Sequence, residues 1–184
     1  MRWQLIRSAK RHTLGLEIRG EDIIIRAPYS ATDAEIRAFT DRHADWIELH
    51  LEKNREQSRK AEQAGLLSRE ELQALAEQAA RVIPERVAHF APLVGVSYGT
   101  ITIRCQKTRW GSCTAAGNLN FNCLLMLAPK EVLDSVVVHE LCHRKEMNHS
   151  ERFYREIDRV FPDYDRCRTW LKINGGALLR RVGT

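Results

Sequence analysis

The chain has 184 residues, enough for one domain or two small ones and for a core that needs no disulfide staples. Hydrophobic residues make up 43% and charged residues 29%, which excludes a disordered chain. The formal net charge is +5, but the basic residues are scattered among acidic neighbours, so the charge reads as a solvated surface with no specific nucleic-acid partner.

Leu14, Leu16 and Ile18 alternate, Gly20-Glu21-Asp22 is a turn signal, and Ile23-Ile24-Ile25 resumes an apolar run that ends at Pro28. This pattern predicts a β-hairpin. Thr32 and Glu35 form a capping-box pattern ahead of Ile36, Phe39, His43, Trp46, Ile47 and His50, which recur at helical spacing. The helix is expected to dissolve in the charged stretch Glu52 to Glu62, with a boundary at Gly65. Residues 1–64 are therefore read as an N-terminal hairpin and helix, and residues 65–184 as the region that carries the chemistry.

Ser68 opens a second helix, with Glu70 and Glu71 in its first turn and Leu72, Leu75, Ala76 and Ala79 on one face. Pro84 is placed to kink it and Pro92 to end it. A short strand is expected over Tyr98 to Arg104, a loop over Arg109 to Gly117 and a second strand over Asn118 to Leu127. Pro129 and Glu131 suit the first turn of a helix that runs to about Asn148. Two shorter helices follow, over 150–160 and 163–172, and Asn174-Gly175-Gly176 is expected to stop the last.

The opening segment has basic residues with no apolar run behind them and reads as no signal peptide. No stretch reaches the roughly 18 apolar residues of a membrane span. The five cysteines include no C-x-x-C pair, which argues against a disulfide framework and a cysteine zinc site. A reduced, cytoplasmic setting is expected.

His139-Glu140-Leu141-Cys142-His143 is H-E-x-x-H inside a predicted helix. Helix positions four apart lie about 40° apart on the wheel, so both imidazoles project from one face, as two ligands of a tetrahedral metal require. Glu140 is turned about 100° from His139, toward a metal-bound water instead of the metal. Leu133, Val136, Val137, Val138, Leu141 and Cys142 make the helix apolar nearly all round. Polar residues buried there need a partner, and a metal with its water supplies one. A hydrolytic zinc usually takes a third protein ligand. His149, just past the expected helix end, is the first candidate, with Asn148 suited to a left-handed turn; Glu146, Glu151 and Glu156 are the alternatives. His43 and His50 read as core or surface histidines. Trp110 reads as a plug under its loop or as a lining of the substrate cleft. Tyr154, Asn122 and Arg109 are the candidates for oxyanion stabilisation.

The motifs Arg109-Trp110-Gly111-Ser112-Cys113, Asn118 to Asn122, Val137 to His143, and Asn148-His149-Ser150 with Phe153 resemble the YgjP-like metallopeptidase family, related to SprT-like zincins. The resemblance extends to Pro162-Asp163-Tyr164 and Trp170-Leu171, and back to Ala27-Pro28 and Trp46-Ile47. It implies an α+β fold with a zincin-like metallopeptidase core, one Zn2+ per chain on His139, His143 and His149, and Glu140 as the catalytic base. The function expected is a zinc-dependent metallopeptidase. A second class is a nucleoside triphosphate pyrophosphohydrolase, for example on UTP, with Arg104, Lys107 and Arg109 near the phosphates. A third is a DNA-associated SprT-like protease, which the lack of a DNA-reading motif weakens.

Overall fold

Alternating apolar residues on both sides of a tight turn must pair to cover their faces, and around Gly20 they do so. In the computed structural model, which describes residues 2–183, strand β2 (Gly15–Arg19) pairs antiparallel with β3 (Asp22–Ala27), Arg19 opposite Asp22. A strand with no counterpart in the sequence reading, β1 (Arg2–Arg7), lies parallel on the other side of β3. β3 is thus central in the order β1-β3-β2, and Ile23, Ile24, Ile25 and Ala27 are buried. β1 is an exposed edge with Trp3 and Leu5 open to solvent, so no buried face marks it in the sequence.

The chain divides into two compact units, Met1–Lys60 and Ala61–Thr184. In the first, the Thr32 side chain accepts from the Glu35 N–H and Glu35 accepts from the Thr32 N–H, which starts helix α1 (Asp33–Arg42). After a break at His43, α2 runs over Ala44–Ala64. The charged stretch is therefore helical to its end, not dissolved. Glu56 pairs with Lys60 at 3.5 Å and with Arg59, so its charges support the helix locally. Ile47 and Leu51 of α2 pack on Ile23, and Ile36 of α1 packs with Ile25 and Ala27.

The second unit is built on α3 (Arg69–Val94), capped by Ser68 and Glu71. Pro84 and Pro92 both lie inside it, so Pro92 does not end it; Gly95, left-handed at φ 80°, does. A proline inside a helix costs about 3 kcal/mol. Here the buried face Ala79, Ile83, Val87, Phe90, Ala91 and Val94 offsets that cost.

Strands β4 (Ile101–Arg104), β5 (Gly111–Cys113) and β6 (Leu119–Asn122) form a second sheet in the order β4-β6-β5. β4 is parallel to β6, and β5 is antiparallel to it with Gly111 opposite Phe121. The predicted loop thus contains a short strand. The predicted strand to Leu127 stops at Asn122, where a 3-10 helix begins (Cys123–Leu127). The Asn122 side chain accepts from the Leu124 N–H and turns the chain.

Helix α4 (Lys130–Cys142) follows, then α5 (Glu151–Val160) and α6 (Tyr164–Arg180). Buried Asp134 of α4 accepts from Arg86 Nε at 2.6 Å and Nη2 at 3.0 Å, and from Lys130 at 3.0 Å, which ties α4 to α3. α6 continues through Asn174-Gly175-Gly176. A Cβ on Gly175 would meet the Trp110 indole at 3.1 Å, so the absent side chain makes room for Trp110 instead of stopping the helix. The fold is α+β. Among the described residues no helix is long and apolar enough to cross a membrane.

Candidate metal centre

α4 ends at Cys142, about two turns before the predicted end. The N–H groups of Lys145 and Glu146 both donate to the Cys142 carbonyl, and the chain turns back on itself. No non-glycine residue among those described has a positive φ, so Asn148 makes this return without the left-handed conformation. Ser150 then caps α5 by accepting from the Phe153 N–H.

The return brings His149 to His139 of α4 and to His143 at its C-cap. Nε2 of His139 lies 3.2 Å from Nε2 of His143 and 3.1 Å from Nε2 of His149. His139, His143 and His149 are the group of potential ligands that converges among the described residues, with ligand atoms within 4.8 Å of one another. The alternatives lie elsewhere. Glu156 pairs with Lys145 and Arg159, and Glu151 with Arg155. Glu146 contributes its backbone carbonyl, which accepts from His143 Nδ1 at 3.1 Å. His43 and His50 bond the carbonyls of Phe39 and Trp46, one helical turn back.

Two aromatic residues order the cluster. Buried Phe153 is surrounded by the rings of His139, His143 and His149, with centroids 4.9, 4.5 and 4.9 Å away. The Tyr164 hydroxyl hydrogen-bonds Nδ1 of His139 at 2.8 Å. Because a carbonyl only accepts, Nδ1–H of His143 donates to Glu146 and its Nε2 lone pair points inward; an inward lone pair on His139 Nε2 leaves its Nδ1–H to donate to the Tyr164 hydroxyl. Bonds of 2.0–2.1 Å to a tetrahedral zinc put ligand nitrogens about 3.3 Å apart, close to the spacing observed. Converging imidazole lone pairs repel one another unless a cation lies between them, so the donor set fits a zinc-like ion. Burial and mutual proximity hold His139 down to about 3, which keeps its ring neutral, the form that can bind a metal. Burial lowers His143 as well.

Glu140 is buried beside these rings but outside the convergent set. Burial pushes its carboxyl up to about 8, against the opposing pull of the Arg109 charge. It faces a cleft of about 230 Å³ lined by Trp110, Gly111, Val136, Tyr164, Arg168 and Leu171, among others. Trp110 both packs on the core and lines this cleft. Asn122 does not reach it. Its amide donates to the carbonyls of Gln106 at 2.7 Å and Arg109 at 2.9 Å, pinning the loop that delivers Trp110. Tyr154 stands 6.4 Å from His149, ring to ring, and outside the cleft lining.

A model of the YgjP-like metallopeptidase domain matches residues 68–174. Among solved structures, the metallopeptidase zymogen abylysin of Pyrococcus abyssi is 24% identical, over 50% of this chain and 98% of that one, with a TM-score of 0.44. The zymogen jannalysin of Methanocaldococcus jannaschii is 21% identical, over 50% of this chain and 95% of that one, with a TM-score of 0.45. No curated protein matches the chain.

Proposed function

The chain belongs to the YgjP-like metallopeptidase family, and we propose that it is a zinc-dependent peptidase in which His139, His143 and His149 hold one Zn2+ and Glu140 is the general base. The observation that carries this reading is the convergence of the His139, His143 and His149 nitrogens beside a buried carboxyl that belongs to the same helix but not to the ligand set.

A zinc ion held by His139, His143 and His149 would lower the pKa of a water toward about 7 and would polarise a carbonyl oxygen. Glu140 takes the proton of the attacking water, holds it on its carboxylate while the tetrahedral carbon forms, and gives it to the leaving nitrogen. Tyr164 and the Glu146 carbonyl fix the imidazole rings through Nδ1. The free cysteines Cys105, Cys113, Cys123, Cys142 and Cys167 support a reducing, cytoplasmic setting.

A nucleoside triphosphate is the competing substrate, because Arg109 and Arg168 put positive charge near Glu140 and His139. Zinc-loaded protein is incubated separately with a peptide library and with nucleoside triphosphates, and Glu140→Gln serves as control. Peptide cleavage that falls about a hundredfold or more in Glu140→Gln, with zinc retained, is expected. Triphosphate cleavage with no peptide cleavage would replace the peptidase reading.

A further inference from the structure

The cleft beside Glu140 holds about 230 Å³, below the range of drug-sized pockets and suited to a single side chain. Trp110, Val136 and Leu171 make much of its wall apolar. The hydroxyl of Ser135, also in the wall, donates to the Val132 carbonyl at 2.7 Å and is committed there. The fixed positive charge in the lining is Arg168. Tyr164, Arg168 and Leu171 recur at i, i+4 and i+7 on α6, so the guanidinium stands on the face that closes the cleft.

Little holds Arg168 to other groups. Its Nη1 lies 3.7 Å from Oδ1 of Asp165, beyond hydrogen-bonding distance, and the two side chains are 59% and 88% exposed. Such a pair contributes little. Its guanidinium carbon lies over the Tyr154 ring, 5.6 Å from the ring centre, a contact that uses none of its N–H donors. Its charge is also felt by His139 and Tyr164, which places it within electrostatic reach of the candidate centre.

Resting on the peptidase reading of the site, we propose that Arg168 is a specificity-determining residue that selects peptides carrying a carboxylate on the residue seated in this cleft. The apolar wall takes the methylene stem, and the guanidinium fork takes the two oxygens. That carboxylate belongs either to a glutamate side chain or to a free C-terminus. A triphosphate, with several charges and no apolar stem, matches one arginine and an apolar wall less well.

The test is calorimetric binding to the full-length, zinc-loaded Glu140→Gln protein, which holds substrate without turnover. Amidated peptides carry glutamate, glutamine or lysine at one position, scanned along the sequence. A further peptide has a free C-terminus, and a nucleoside triphosphate completes the set. At low salt a carboxylate peptide is expected to bind about tenfold tighter than its glutamine counterpart. The gap shrinks in high salt, disappears in Arg168→Gln and turns toward lysine in Arg168→Glu. The free C-terminal peptide separates the two carboxylate sources. A preference that is absent, or unchanged in Arg168→Gln, overturns the proposal. So does a triphosphate that binds more tightly than every peptide through Arg168. If the preference holds but the parent protein cleaves no peptide, the carboxylate site stands and the peptidase reading falls. If peptides are cleaved with no preference, Arg168 alone loses its role.

Discussion

A Cβ on Gly111 would lie 2.6 Å from Oε1 of Glu140, and 2.8 and 2.9 Å from its Cγ and Cδ. The contact is with the carboxyl proposed as the general base, so β5 approaches α4 as closely as it does only because position 111 has no side chain. Gly111→Ala must displace either the strand or the carboxylate. A displacement of about 1 Å at a catalytic group costs on the order of a hundredfold in rate. A fall of that size in kcat/KM with metal content unchanged is expected. Undiminished turnover would mean that Glu140 needs no fixed position.

Tyr164→Phe removes the 2.8 Å hydrogen bond to His139 Nδ1 and keeps the ring that packs beside it. Losing an outer hydrogen bond of this kind typically weakens a metal site by about 10- to 100-fold. Competition with a fluorescent zinc chelator reads this directly. A variant that competes as well as the parent would show that the bond does not orient His139.

The H-E-x-x-H face of α4 was legible because helical spacing alone sets it, and both capping boxes and the β2–β3 hairpin are equally local. Tyr164 and Phe153 were legible only as letters of motifs. Their roles arise where α6 and α5 pack against α4, contacts distant in sequence. The ends of α3 and α6 misled for a related reason. Pro92 and Asn174-Gly175-Gly176 are local breakers, but burial of the α3 face and the fit of Trp110 against Gly175 override them. β1 has no buried face to leave a pattern, and it is ordered by its register with β3.

The metal-free protein should show a domed pH profile of stability. Glu140 is raised from 4.5 to about 8, chiefly by burial, so the native state binds this proton more tightly than the unfolded chain does. Stability therefore falls as pH rises across that window. His139 is lowered from 6.5 to about 3, again chiefly by burial, so the unfolded chain binds its proton more tightly. Stability falls there as pH drops. Each slope is at most about 1.4 kcal/mol per pH unit. The two offset one another between 4.5 and 6.5, where the maximum is expected. Urea midpoints of chelated protein check this, and Glu140→Gln should flatten the alkaline limb. Midpoints that climb steadily toward pH 8 would contradict the burial cost assigned to Glu140.

Elemental analysis of purified parent and His149→Ala protein tests the proposed His139, His143 and His149 centre most directly, because His149 is the proposed ligand that a chain reversal, instead of helical spacing, brings in. One zinc per chain in the parent, and strongly reduced zinc in His149→Ala after equal dialysis, is expected. Equal zinc in both proteins, or none in the parent, would contradict it.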